Sequence, residues 1–337
     1  RWMMLAANIT NTVQGAITLI TTAGGGGRTR RDNDTLRRVY EGLGKNPNAA
    51  AVLILGGKTT SPDYPGFGVP QLDVYDIADA ISTTGKPVKV IDVLKEGGYF
   101  DALRKSIGQA REMAINASRT RREPCGLADL TVGIKCGYSD ATSGVAGNPT
   151  IGWVLDRIVE AGGSALFGEH SEIIGAEHVL ARRAATPEVA EQIIAVAKRR
   201  EELALSTGED LRTINPMLFN IAGGIVSVEE KSLGAIKKTG TAPIQGVLRY
   251  GERPHGKGLY FMDAWMFMSI FLGFAASGST LNIFQIGGAG AHATLRSPMS
   301  SSHGVVTPLM WSTGNPNTYT LAAVSYTHLR AHETVLD

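Results

Sequence analysis

An α/β protein, with a mostly parallel open sheet flanked by helices and a second, smaller α/β (Rossmann-like) domain, is predicted by three features of the chain. Short apolar runs rich in β-branched residues alternate with helix-length stretches. Polar glycine-rich segments follow several of those runs. Residues 129–180, DLTVGIKCGYSDATSGVAGNPTIGWVLDRIVEAGGSALFGEHSEIIGAEHVL, read as strand, loop, helix, strand and charged loop. That is a βαβ unit, whose strands run parallel and whose exit loops share one edge of the sheet.

The elements follow in order. Residues 15–22 (GAITLITT) read as a strand that runs into AGGGGRTRRDND and a helix at 34–43, with Asp32 or Asn33 as cap. The continuous apolar run at 50–55 suits a parallel strand covered on both faces, and the proline- and glycine-rich segment 56–70 is a loop with Lys58 near its start. A helix at 72–82, a strand at 88–93 and a helix at 96–116 continue the alternation, and SRTRREP at 118–124 closes it as a linker. The central unit supplies strands at 130–134 and 164–167 around a helix at 150–161. Residues 175–183 read as helical, and Thr186 caps a further helix from Pro187 to about residue 203.

The domain boundary is expected near residue 215, giving a domain over 1–215 with the carboxylate cluster and a smaller one over 216–323. In the latter, Ser227 to Glu230 form a capping box that opens a helix to about residue 238. Strands follow at 258–262, 280–286 and 305–310, with an apolar helix at 264–276 and the glycine-rich GGAGAH after the second strand. The tail VSYTHLRAHET at 324–334 resembles a translated sequencing-library adapter, so residues 324–337 are read as non-native and left out of the functional argument. The opening on Arg1 in mid-pattern is read as that of a fragment.

With 337 residues, 43% of them hydrophobic, the chain can bury a sizeable core. A formal charge of +2 is too small for a nucleic-acid footprint. Two cysteines, Cys125 and Cys136, make no disulfide framework, and a reducing cytoplasm is expected. The first residues lack a signal-peptide pattern, and the most apolar run falls short of the ~20 residues that a membrane span requires.

Chemistry is expected where the two central strands end. Asp140, Glu169 and Glu172 share that edge and suit proton transfer or ligation of a hard divalent cation. Ser139, Ser143 and Asn148 suit the hydroxyls of a substrate, and Cys136 is a small residue at a strand end. His178 is expected as a base or ligand. The glycine run before Arg28 presents backbone N–H groups to an anion, so Arg28 is expected to hold a carboxylate or sulfonate. No glycine fingerprint is followed by an acidic residue at the distance dinucleotide binding needs.

Four ordered motifs, CGYSDATSGVAGNPTIG (136–152), FGEHSEIIGAEHVL (167–180), EEKSLGAIKKTGTAPIQGVLRYGE (229–252) and GLYFMD (258–263), resemble the altronate/galactarate dehydratase family, which includes the large subunit of sulfolactate sulfo-lyase. The resemblance implies a hydro-lyase that removes water by β-elimination from a sugar acid or similar 2-hydroxy acid, giving a 2-oxo acid. It implies a divalent metal (Fe²⁺, Mn²⁺ or Mg²⁺) held by Asp140, Glu169 and Glu172, and roles for Lys231, Asp263 and Thr241. It also implies a small β-rich subunit or N-terminal domain as partner, with a homo-oligomer compatible and neither nucleic acid nor membrane involved. His170 stands where relatives tend to carry a small hydroxyl residue and is given no role. The family's first glycine turn often carries His and Cys; here it carries neither, which leaves a non-catalytic sugar-acid-binding subunit as an alternative. GAEH and ATPEV are closest to the sulfo-lyase branch, which leaves sulfite as an alternative leaving group.

Overall fold

The computed structural model describes residues 2–19, 29–56, 72–93, 95–264, 269–288 and 306–319. They form a mixed α/β structure in two compact units, residues 1–124 with 251–253 and 275–278, and residues 125–250 with 254–274 and 279–337.

In the first unit, β1 (Val52–Gly56) and β2 (Val88–Asp92) pair in parallel, from Val52 opposite Val88 to Gly56 opposite Asp92. The helix Val74–Ser82 connects them, started by Asp73, whose carboxylate accepts from the Tyr75 amide. The helix Trp2–Thr12 buries Leu5 and Ile9, four residues apart, together with Val13, against Ile91 of β2 and Ala102 and Ala110 of the helix Tyr99–Ala117. The helix Arg30–Lys45 is capped by Thr29, one turn earlier than expected. Asp32 is instead the third residue of the helix and closes a capping box from inside it. Ala16 to Leu19 form no strand, so the expected strand at 15–22 does not begin there. Its remainder, the glycine run with Arg28, and Lys58 lie outside the described residues.

The second unit is a six-stranded, all-parallel sheet of β3 (Thr131–Gly137), β4 (Ser164–Gly168), β5 (Ile244–Arg249), β6 (Gly258–Asp263), β7 (Leu281–Ile286) and β8 (Leu309–Ser312), in the order β5-β6-β4-β3-β7-β8. The helix Asn148–Glu160 makes the crossover from β3 to β4, as the central motif requires. The sheet is buried on both sides, since parallel strands joined by crossovers need cover on each face. Val132, Ile134, Phe167, Phe261 and Ile283 pack with Leu155, Ile158 and Ile193 of the flanking helices on one side. Leu166, Met262 and Phe284 pack with Ile270, Phe271 and Phe274 on the other.

Two expectations are corrected. The division falls at 124/125 and not near 215, because β5, β6 and β7 pair with β3 and β4 and thereby join what was read as two domains into one sheet. The strands before residue 124 form their own two-stranded sheet. β5 itself escaped the sequence reading: TAPIQGVLR carries a proline and a glycine that look like a loop, yet its buried positions Ile244, Gly246 and Leu248 alternate with Gln245, Val247 and Arg249. Residues 324–337 lie outside the described residues. Among the described residues no helix is long and apolar enough to cross a membrane.

The exit of β3 is tied down by Asp140. Its Oδ1 accepts from the Thr142 hydroxyl at 2.6 Å, the Ser143 amide at 3.1 Å and the Ser143 hydroxyl at 3.3 Å. Its Oδ2 accepts from the Gly288 amide at 2.6 Å, just past β7, and from Asn315 Nδ2 at 2.8 Å, just past β8. Burial pushes this carboxyl up, but the bonds from Thr142, Gly288, Asn315 and Ser143 outweigh it and hold it below the usual carboxylate range. Gly287 permits the close approach, since a Cβ there would stand 2.3 Å from the Tyr138 carbonyl oxygen.

Two expectations for measurement follow. Asp140→Asn removes a charged acceptor of several bonds, so thermal or denaturant unfolding at pH 7 should show a loss of about 2–3 kcal/mol. Because the folded-state value is depressed, this contribution is present above the ordinary value of about 3.9 and is lost as the pH falls through the lower one, so parent and variant should converge in acid. Residues 118–129 are all exposed, with no regular structure at 120–126. Brief trypsin treatment should therefore cut first at Arg119, Arg121 or Arg122, as read by mass spectrometry, whereas first cuts inside the second unit's helices would count against this division.

Candidate active site

The carboxyl edge of the central strands carries the charged groups that the rest of the sheet excludes. Lys135 lies in β3, the one charged residue in an otherwise apolar strand, and is 3% exposed. Its ammonium donates to Glu169 Oε2 and to the Cys136 carbonyl oxygen at 2.8 Å, and it stands 3.7 Å from Glu172 Oε1. Lys238 is 1% exposed, in the single 3-10 turn Ile236–Thr239 after the helix Val228–Ala235, and it donates to Glu172 Oε2 at 2.7 Å. The Cys136 thiol donates to Glu172 Oε1 at 3.2 Å. Two ammonium groups and two carboxylates thus form a buried chain, Glu169, Lys135, Glu172, Lys238.

Backbone geometry supports this placement. Glu169 follows β4 directly with φ 80°, and Tyr138 follows β3 with φ 50°. Both are non-glycine residues in the left-handed region, which costs roughly 1–3 kcal/mol each and persists only where the surroundings hold it. The Glu169 turn aims its carboxylate at Lys135, where the Ser171 hydroxyl also donates to Oε1 at 3.3 Å.

The two carboxylates differ electrically. Burial, followed by repulsion from Glu172, pushes Glu169 above the usual range despite Lys135. Burial would do the same to Glu172, but Lys238 and Lys135 override it and hold Glu172 low. Lys135 is held protonated because Glu169 and Glu172 outweigh the burial that would neutralise it, and Lys238, which donates to Glu172, is likewise shifted up despite its burial. The Cys136 thiol, raised above all by burial to about 12, stays protonated and serves as a donor. Glu169 is therefore the less acidic of the two carboxylates and Glu172 the more acidic.

Lys231, on the helix Val228–Ala235, is half-buried and donates to Asn215 Oδ1 at 2.8 Å and Asn220 Oδ1 at 2.9 Å. Both acceptors are neutral, and burial lowers its pKa. Asn220 Nδ2 in turn donates to the Ser139 carbonyl oxygen at 2.7 Å, which ties this lysine to the exit of β3. Three lysines against two carboxylates leave the cluster with a net positive charge, suited to an anion.

The expected site is therefore partly gathered. Glu169 and Glu172 come together, but Asp140 does not join them, since its oxygens are taken by Thr142, Ser143, Gly288 and Asn315. Ser143 serves Asp140, and Asn148 donates to the Gly234 carbonyl oxygen at 2.9 Å while its Oδ1 is buried without a partner among the described residues. Ser139 contributes its carbonyl and is itself buried. His178 is exposed on the short helix Glu177–Ala181, because the buried face of that turn is taken by Leu180. Thr241 binds the Asp156 carboxylate through its amide at 2.8 Å and its hydroxyl at 2.9 Å, a structural tie between β5's approach and the crossover helix. Among the described residues, no group of three His, Cys, Asp or Glu side chains is placed to hold a metal ion. The expected divalent cation does not fit Asp140, Glu169 and Glu172, since lysine ammonium groups already neutralise the two glutamates and backbone and amide donors saturate the aspartate.

Sequence reasoning missed Lys135 and Lys238. The first left a readable signal, a charge inside an apolar strand that needs a partner. The second left none, since Lys237 beside it is exposed and the pair reads as a solvated surface.

Known proteins share this arrangement of sequence. The chain is 38% identical over 235 residues to (2R)-sulfolactate sulfo-lyase subunit beta of Chromohalobacter salexigens, covering 69% of this chain and 57% of that protein. It is 30% identical to altronate dehydratase of Bacillus subtilis, over 69% of this chain and 44% of that protein. It is also 30% identical to galactarate dehydratase (L-threo-forming) of Escherichia coli, over 66% of this chain and 42% of that protein. The chain thus spans about half the length of the curated relatives it matches. The family description "D-galactarate dehydratase/Altronate hydrolase, second domain" matches residues 3–118, and "D-galactarate/Altronate dehydratase, C-terminal" matches residues 127–300. The two matches meet at the division between the structural units, and the second alone takes in more than half of the chain: it belongs to the D-galactarate/altronate dehydratase family, a family of lyases.

Proposed function

We propose that the chain carries the lyase site for β-elimination from a sugar acid such as altronate or galactarate, with water as the leaving group. The single observation that supports this most is the buried set of Lys135, Glu169, Glu172 and Lys238, bordered by Lys231, at the carboxyl edge of the sheet. Lys231 binds the substrate carboxylate. Glu169, its pKa raised by burial, takes the proton from the carbon next to that carboxylate. As the electron pair moves toward the carboxylate, Lys135 and Lys238 stabilise the enediolate by charge that folding has already positioned. The bond from the neighbouring carbon to its hydroxyl then breaks, the electron pair leaves with oxygen, and the proton carried by Glu169 completes water. The enol product takes up a proton at carbon and gives up its hydroxyl proton, which leaves the 2-oxo acid. Glu172 keeps both ammonium groups in place and protonated.

The second reading keeps the same proton abstraction with sulfite leaving in place of water. The 38% identity to a sulfolactate sulfo-lyase subunit, against 30% to the two dehydratases, favours it. Because that relative is a subunit, and because all of these relatives are longer, we also propose a small β-rich subunit or further segment as partner, in a reducing cytoplasm. A divalent cation enters no step assigned here.

Release of 2-oxo acid from altronate, galactarate and sulfolactate should be measured with and without added Fe²⁺, Mn²⁺ or Mg²⁺. Turnover of a sugar acid supports the first reading and turnover of sulfolactate the second, while tight binding of either without turnover would leave a binding subunit. Glu169→Gln should lower kcat by about 100-fold or more with little change in KM. Lys231→Ala should act chiefly on KM, by about tenfold or more.

A further inference from the structure

One set of charged groups beside the site takes no part in that scheme. At the end of β6, Asp263 Oδ1 accepts from His170 Nε2 at 2.5 Å, and its Oδ2 accepts from Arg199 of the helix Pro187–Leu205. Burial would push the Asp263 carboxyl up, but His170 and Arg199 hold it below the usual range, so it is an ionised acceptor between two donors. The His170 ring is fastened through Nε2 alone, since Nδ1 is buried with no partner among the described residues. The His170 amide also donates to the Ala264 carbonyl oxygen at 3.2 Å, one residue past Asp263. His170 is thus attached to the end of β6 twice, by backbone and by side chain.

The residue just before it is Glu169. Its φ of 80° and ψ of 103° are costly for a residue with a side chain, and the turn needs an external hold to keep them. Within the turn, the Glu172 amide donates to the Glu169 carbonyl oxygen at 3.1 Å, which closes it locally but does not fix its direction. β6 lies beside β4 on the side away from β3, as the order of strands requires. The chain is therefore held on the β6 side at residue 170, while residue 169 projects toward Lys135 on the β3 side.

We propose that Arg199, Asp263 and His170 form a clamp that holds the strained Glu169 turn and thereby aims the Glu169 carboxylate at Lys135, which makes His170 a positioning residue for Glu169. The clamp deepens the reading of Glu169 as the proton carrier and rests on it. The groups that bear on the outcome are Asp263 and Arg199 around His170, and Lys135, Glu172, Lys238 and Ser171 around Glu169.

The test is carboxyl-carbon NMR of the full chain labelled at glutamate, with the Glu169 signal assigned by its loss in Glu169→Gln. In the parent, Glu169 should titrate above the ordinary range. In His170→Ala and Asp263→Asn the carboxylate is released from its buried position, and its titration should move by about one pH unit or more toward the ordinary value. The acid limb of the kcat profile should move with it while KM stays close to the parent's. His170→Gln, whose amide nitrogen reaches the place of Nε2, should restore most of both. Arg199→Gln, an exposed change that any folded sample tolerates, should move both in the same direction by less. Titrations of all the His170, Asp263 and Arg199 variants that superimpose on the parent's would overturn the clamp. If Glu169→Gln keeps full turnover while His170→Ala still moves the Glu169 titration, the clamp stands and the catalytic reading of Glu169 falls.

Discussion

Removing four charges from water is the constraint from which the second unit's interior follows. A lone buried ammonium or carboxylate costs several kcal/mol, and deleting one partner of a buried pair typically costs about 3–5 kcal/mol, so Lys135, Glu169, Glu172 and Lys238 must be supplied together or not at all. They come from distant stretches of chain: a strand, the two ends of a short turn, and a 3-10 turn some seventy residues later. Only a parallel sheet with its crossover helix and the packed helix Val228–Ala235 brings those stretches to one edge. Once they are assembled, the low dielectric that made assembly costly also drives Glu169 and Glu172 apart in acidity. That difference is what the proposed elimination draws on.

Much of this fold was legible because parallel strands advertise themselves. Runs such as LTVGI and SALF are largely apolar, since both of their faces are covered, and the length between them allows little except a helix. Caps were legible where the cap and its partner are three residues apart, as at Thr186 and Ser227. What could not be read was which strands belong to the same sheet. Pairing depends on sequence separations of more than a hundred residues, as between β3 and β7, and no local pattern encodes it. Hence loop composition points to a division at 215, where the sheet in fact runs straight across.

The site shows a sharper division. That Glu169 and Glu172 lie together could be seen, because the two parallel strands and the charged loop after them determine where the acidic groups emerge. Their partners could not be seen. The opposing charges are the ammonium groups of Lys135 and Lys238, and the second differs from its solvated neighbour Lys237 only in which way the turn faces. Asp140 misled for the opposite reason: its chemistry suits catalysis, but its neighbours Thr142, Ser143 and Gly288 convert it into a joint between strand exits.

Lys231 and Lys238 stand seven residues apart, about two helical turns, on a helix and the turn that continues it. Both are carried by that one segment. A sliding of that segment along its axis would advance or withdraw both cations in step, so the electric potential felt by a bound acid would be set by a single mechanical coordinate.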